Sequence, residues 1–235
     1  MDITDSTALV TGANRGLGRA FALQLLERGA ARVYGASRDP GSIDIPGVVP
    51  VALDITDPRQ VAAAAELAAD VDLLVNNAGT NTWQPLVAGD MDAIRLEVET
   101  HLFGTLSVIR AFAPVLAANG GGAIVNVLSA MSWFAYPGDN AYHVAKAAEW
   151  AVTNGVRLEL AEQGTAVLGL HLGLADTDMS AQVPGDKADP GAVAAAALDG
   201  VEQGAWEVVF DDWSRQVKSS LAGAPQDFYE AVVPG

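Results

Sequence analysis

Short apolar runs alternate with amphipathic helical segments along nearly the whole chain, and no other feature narrows the possible folds so much. Ala8 to Val10 is an apolar run of strand length, and an amphipathic segment follows from Gly16 to Arg28, stopping at Gly29. Arg32 to Ala36 and Val48 to Leu53 read as the next two strands; an Ala-rich helix follows Pro58, and Leu73 to Val75 is a fourth strand. A long helical pattern spans Asp90 to Ala117, and Ala123 to Leu128 is a fifth strand rich in β-branched residues. The pattern repeats with a helix from Asn140 to Glu162, a strand from Ala166 to Leu170, a helix from Ala192 to Gly200 and a seventh strand from Glu207 to Phe210. Apolar strands separated by helices, joined by right-handed crossovers, predict a doubly wound α/β fold. Seven parallel strands carry helices on both faces. The 235 residues suit one such domain over 1–235, with the tail from Ala224, including Pro225 and Pro234, wrapped over the surface.

Composition removes several classes of function. Asp and Glu number 29 against 13 Lys and Arg, a formal net charge of -16, so the surface repels a nucleic-acid backbone or an anionic membrane. With no cysteine, disulfides, zinc–thiolate sites and thiol catalysis are excluded, and no metal site is expected. Met1 to Thr7 lacks a secretory pattern, and no apolar run reaches the roughly 18 residues of a membrane span. A cytoplasmic protein is expected.

The first strand runs directly into Thr11-Gly12-Ala13-Asn14-Arg15-Gly16-Leu17-Gly18, which opens the first helix. Glycines there let the backbone turn sharply and bring its N–H groups, with the positive end of the helix, against a pyrophosphate. A glycine cluster alone is often only a tight turn; its position at the first strand–helix junction makes it a candidate nucleotide site. Farther along, Tyr142 and Lys146 lie four residues apart on one helix face, and Ser129 stands at the end of the fifth strand.

The Gly-x-x-x-Gly-x-Gly turn after Thr11 and the Ser129, Tyr142-x-x-x-Lys146 group resemble the short-chain dehydrogenase/reductase superfamily. The resemblance extends from Thr7 to about Phe210 and implies a single-domain nicotinamide-dependent oxidoreductase. It implies that Gly12, Asn14, Arg15, Gly16, Leu17 and Gly18 surround the cofactor phosphates, and that Asp54-Ile55 meets the adenine. Asn76-Asn77-Ala78-Gly79 matches the family's Asn-Asn-Ala-Gly signature and flanks the cofactor, although an Asn pair is also ordinary turn chemistry. Ser37 stands at the end of the second strand where NAD-preferring members carry Asp, and Arg38 and Arg15 are placed to pair with a 2′-phosphate. NADP(H) is therefore expected over NAD(H), the alternative being two solvated arginines. Asp39 could pair with Arg38 or turn toward the ribose.

In the catalytic group the resemblance gives Tyr142 the proton transfer, Ser129 the substrate oxygen and Lys146 the nicotinamide ribose. A free tyrosine titrates near pH ~10, and a neighbouring ammonium favours its phenolate, so Lys146, together with the cationic nicotinamide ring of the oxidised cofactor, is expected to lower that value. Two positions depart from the family. His101 stands three residues before Gly104, where the family has an Asn that organises a water; His101 either does so through its carbonyl or ring, or is a packed helix histidine. After the sixth strand, Leu172-Gly173 replaces Pro-Gly, with Thr177 next in line for the nicotinamide amide.

Trp83, Ala130, Trp133, Tyr136, His143 and Leu174 flank these motifs and are expected to line an apolar substrate pocket, Trp133 being equally readable as core or oligomer contact. The substrate class is a small ketone, aldehyde or alcohol. A non-catalytic NADP(H) sensor on the same fold is the alternative; an epimerase would need a larger C-terminal region. Homo-oligomerisation through the two long helices is expected from the resemblance.

Overall fold

The computed structural model describes residues 1–232. Seven strands form one wholly parallel sheet in the order β3-β2-β1-β4-β5-β6-β7. They are β1 (Thr7–Thr11), β2 (Arg32–Ser37), β3 (Val48–Ala52), β4 (Leu73–Asn76), β5 (Gly122–Val127), β6 (Thr165–His171) and β7 (Glu207–Val209). The helices are α1 (Gly16–Glu27), α2 (Pro58–Leu67), α3 (Met91–Val98), α4 (Thr105–Ala118), α5 (Asn140–Glu159), α6 (Pro190–Glu202), α7 (Asp212–Ser220) and α8 (Pro225–Val232).

The strand pleat sends alternate side chains into two separate cores. Ala8, Val10, Leu73, Val75, Ala123 and Val125 face α1 and α6. Leu9, Leu74 and Ile124 face the opposite layer, with Val61 of α2, Phe112 of α4 and Val156 of α5. Both faces are therefore dry, which is why the strands read as continuous apolar runs rather than alternating ones.

Several elements differ from the sequence expectation. The helical pattern expected from Asp90 to Ala117 is not one α-helix: Glu99–Gly104 forms a π-helical segment between α3 and α4. The wider turn occurs where Gly104 lies flat on Ile55, since a Cβ at Gly104 would stand 2.9 Å from the Ile55 side chain. The Met91–Ala118 stretch also contains an 18-residue window of mean hydropathy 1.4, long and apolar enough to cross a bilayer, contrary to expectation. Its apolar residues Val108, Ile109, Phe112 and Leu116 are buried against the sheet. α5 ends at Glu159 rather than Glu162, because Gly164 (φ +79°) closes a turn into β6. The tail is not a bare wrap: Pro225–Val232 is helical, and Phe228 packs on Phe134 and Trp213 at ring separations of 5.8 and 6.3 Å. Pro234 lies outside the described residues.

Candidate active site

The strand order reverses between β1 and β4, so a crevice opens at their C-terminal ends. Thr11 Oγ1 accepts the N–H groups of Asn77 and Ala78 at 2.9 and 3.0 Å and donates to Val75 O at 3.3 Å. Asn77 Nδ2 donates to Thr11 O at 2.9 Å. One hydroxyl and one amide thus hold the rims of the crevice together. The Asn-Asn pair does more than turn chemistry, because Asn76 also donates from Nδ2 to Asn126 Oδ1 at 2.8 Å inside the sheet.

The glycine turn is confined by contact. Gly12 has φ +68°, and a Cβ on Gly18 would stand 2.1 Å from Gly12 O and 2.5 Å from Asn77 Nδ2. Helix α1 starts against the crevice with no side-chain cap on its first N–H groups and no acidic residue in its first turn. Uncapped donors at the positive end of a helix favour an anion. Asn14, Arg15 and Gly16 line a polar cleft of about 380 Å³ there with Thr177 and Asp178, and a Cβ on Gly16 would stand 3.2 Å from Thr177 Cγ2. Leu17 packs partly on the core behind the turn.

At the end of β2, the short side chain of Ser37 donates to Asp39 O at 2.6 Å. Asp39 makes no ion pair with Arg38 among the described residues: it is exposed, and its Oδ1 accepts from Gly41 N at 3.1 Å, capping a short 3₁₀ turn. Arg38 is exposed and has no ion pair among the described residues, while Arg15, also exposed, lies 3.4 Å from Asp178. Asp54 Oδ1 accepts from Thr56 N and Oγ1 at 2.9 and 2.7 Å, and Ile55 is buried in the core under Gly104. Ala78 lies against the glycine turn, its Cα 3.1 Å from where a Cβ on Gly12 would stand, and Gly79 sits beside His101, whose Cε1 would be 2.6 Å from a Cβ on Gly79.

The catalytic candidates converge on the same edge. Ser129 ends β5 as the cap of a 3₁₀ turn (Ala130–Ser132), its Oγ accepting from Met131 N at 3.1 Å. α5 carries Tyr142 and Lys146, whose Nζ is 5.7 Å from the Tyr142 ring centroid. His101 closes the other side of the ring in an edge-on contact at 5.4 Å. Its Nε2 lies 2.8 Å from Thr80 O and 3.3 Å from Thr80 N, so the ring is held against the Thr80 backbone. His101 is 1% exposed and packed between the Thr80 backbone and the Tyr142 ring.

The tyrosine departs from expectation. Burial raises the Tyr142 pKa above its ordinary value; Lys146 pulls it back, but Glu149, Glu97 and Asp139 push it up again. After burial, one contributor is a residue absent from the sequence reading. Glu149, fully enclosed, accepts from Lys146 Nζ at 2.7 Å, while the same ammonium also donates to Val127 O at 2.8 Å. Burial opposes ionisation of both partners, yet mutual attraction holds Lys146 above and Glu149 below their usual values. The spacing of an acid three residues after Lys146 was visible, but helix carboxylates at that spacing are usually solvated.

The model of the short chain dehydrogenase family matches residues 6–188. The chain belongs to the short-chain dehydrogenase/reductase family. It is 41% identical, over all of both chains and with a TM-score of 0.95, to a solved short chain dehydrogenase from Burkholderia cenocepacia J2315 in complex with NADP. It also resembles 3-ketoacyl-(acyl-carrier-protein) reductase from Brucella melitensis, solved with NADH: 26% identity, TM-score 0.80, covering 88% of this chain and 97% of that one. A short chain dehydrogenase from Monascus purpureus is 32% identical over 197 residues, 75% of this chain and 67% of the relative.

Around this short-chain dehydrogenase site, the expected pocket residues divide. Trp133 is core, stacked on His171 at 3.8 Å, and Ala130 is buried beside it. Trp83, Tyr136 and Leu174 keep partial or full exposure, and Trp83 holds φ +55° in a loop tied to α5. His143 Nδ1 contacts Met131 O at 2.7 Å. The Gly173 loop, lacking proline, is anchored instead by Gly173 N donating to Asp211 Oδ2 at 2.6 Å. Burial lowers His171 to about 4, so it stays neutral beneath the site.

Asp139, at the start of α5, accepts from Asn81 Nδ2 at 2.8 Å, and burial raises its carboxyl from 3.8 to about 6. Between these values the folded chain holds a proton that the unfolded chain has released, so this group's contribution to stability falls as pH rises and is fully lost above about 6. Asp139→Asn keeps the acceptor without the charge. The melting temperature of the variant relative to wild type should climb by at least ~2 °C between about pH 4 and about pH 7. A difference that is flat with pH would contradict the assignment.

Proposed function

We propose that this short-chain dehydrogenase/reductase is an NADPH-dependent carbonyl reductase, reversible as an alcohol dehydrogenase, acting on a small ketone or aldehyde. The observation that carries the reading is that Lys146 stands against the Tyr142 ring on α5, which packs on the turn capped by Ser129, at the strand edge that also holds the uncapped start of α1.

Gly12, Gly16 and Gly18, with the first N–H groups of α1, would hold the pyrophosphate; Thr177 lies against the same turn. Exposed Arg38 and weakly paired Arg15 suit a 2′-phosphate, and the Oδ1 of Asp39 is engaged in its own cap. The Burkholderia relative's bound NADP agrees with this preference. When bound, the nicotinamide supplies hydride to the carbonyl carbon.

The chain's own residues handle the oxygen. Ser129 Oγ already accepts from Met131 N, which leaves its proton free to donate to the substrate oxygen. Tyr142 donates the proton that completes the alcohol. Burial keeps Tyr142 protonated, the form that reduction needs. Lys146, ionised and fixed by Glu149 and Val127 O, stabilises the phenolate left behind. Exposed Trp83 and Tyr136 give the cleft aromatic surface for an apolar ketone. Association of identical chains through α3, the π-helical segment and α5, which expose Leu96, Phe103, Val144 and Leu158, belongs to the same reading.

Tyr142→Phe should lower kcat for ketone reduction by about 10²-fold or more while leaving NADPH affinity within about twofold; substantial residual turnover would remove the proton-donor role. Arg38→Ala should weaken NADPH binding by about tenfold and NADH binding hardly at all, measured by protein fluorescence titration. Equal losses would contradict the 2′-phosphate assignment.

A further inference from the structure

One turn beyond Lys146, α5 carries a carboxylate with no place in the Ser–Tyr–Lys group. Glu149 is 1% exposed. Its Oε2 accepts from Lys146 Nζ at 2.7 Å, its Oε1 accepts from Thr105 Oγ1 at 3.3 Å, and Oε2 lies 3.5 Å from His101 Nδ1. Beyond His101 stands a second enclosed acid, Glu97, its Oε2 3.7 Å from His101 Nε2 and its Oε1 accepting from Thr82 N. His101 Nδ1 and Glu97 Oε2 have no hydrogen-bond partner among the described residues.

The groups facing the Tyr142 phenol are therefore unusual in balance. From α5 come Lys146 and Glu149, and from its start Asp139; from α3 and the π-helical segment come Glu97 and His101. One ammonium stands against three carboxylates. The nearest carboxylate is bonded to that ammonium on the side away from solvent, in surroundings that do little to screen either charge.

We propose that Glu149 is a positioning residue that holds the Lys146 ammonium inward and cancels part of its pull on Tyr142, so that the site works near neutral pH as a carbonyl reductant rather than an alcohol oxidant. Reduction breaks the Tyr142 O–H bond and forms one on the substrate oxygen while hydride from NADPH reaches carbon, leaving a phenolate. Oxidation runs the same exchange backwards: a phenolate must take the alcohol proton as hydride passes to NADP⁺. A neighbour that keeps the phenol protonated favours the first direction and moves the second to higher pH. The preferred direction rests on the function proposed above; the effect of the Glu149 charge on the phenol does not.

The test is an ultraviolet difference titration of tyrosinate in the full chain, which has four tyrosines, with Tyr142→Phe subtracted to isolate Tyr142. Glu149→Gln should lower the Tyr142 midpoint by about one pH unit or more, the usual effect of removing a close like charge. The acid limb of kcat for cyclohexanol oxidation with NADP⁺ should move down with it. A midpoint unmoved or raised overturns the proposal. Because Glu149→Gln leaves a buried ammonium unpaired, the charge-neutral pair Lys146→Gln/Glu149→Gln is titrated beside Lys146→Gln alone. The double variant should have the lower midpoint, and equal midpoints overturn the proposal as well. The titration needs no turnover, so a shifted midpoint in a chain that reduces no ketone would overturn the functional reading alone.

Discussion

Seven strands that all run one way must all end on one edge, and the chain has to leave that edge upward at one side and downward at the other. The gap left between β1 and β4 is the constraint on which everything else in this molecule depends. Thr11 and Asn77 pin its two rims, and from there a buried polar line leads to the catalytic helix. Asn76 donates to Asn126, Asn126 Nδ2 to Thr153 Oγ1 at 2.9 Å, and Thr153 Oγ1 to Glu149 O at 2.8 Å. Each group on this line leans on the next, so α5 is fixed in rotation relative to the crevice. That fixes where Tyr142 and Lys146 point.

Electrostatics at the site runs against the character of the whole. A chain of net charge -16 places three of its thirteen Lys and Arg at the crevice, Arg15 and Arg38 at the rim and Lys146 inside. Glu149, 2.7 Å away, together with Val127 O helps Lys146 hold its charge in a dry place. That pairing weakens the influence of the ammonium on the phenol, and burial then dominates the tyrosine's behaviour. The site is thus arranged around a protonated tyrosine.

The strands and the glycine turn were legible because their signals are local: apolar runs of strand length, and glycine where a Cβ would strike Gly12 O. The Ser129, Tyr142 and Lys146 spacing was legible for the same reason. Glu149 was not, since its burial comes from α3 and the π-helical segment closing over it, and nothing in the residues around it announces that cover. The π-helical segment itself arises from fitting Gly104 onto Ile55 and His101 against Gly79, both long-range contacts. Asp39 was ambiguous in sequence because a carboxylate near a turn can cap it, pair or face a ligand; the geometry of the 3₁₀ turn decides for the cap. Trp133 was readable as pocket wall, core or oligomer contact, and the stack with His171 places it in the core.

The central claim is that the phenol of Tyr142 and a reduced nicotinamide meet one carbonyl at the crevice. Incubating the protein with NADPH deuterated on both faces of the transferable ring carbon, together with a panel of simple ketones, tests this through the mass of the product alcohol. One deuterium on the carbinol carbon, at one molecule of NADPH consumed per alcohol formed, is the predicted result. NADPH consumed with no deuterium in the alcohol, or cofactor bound with no ketone reduced across the panel, would contradict it.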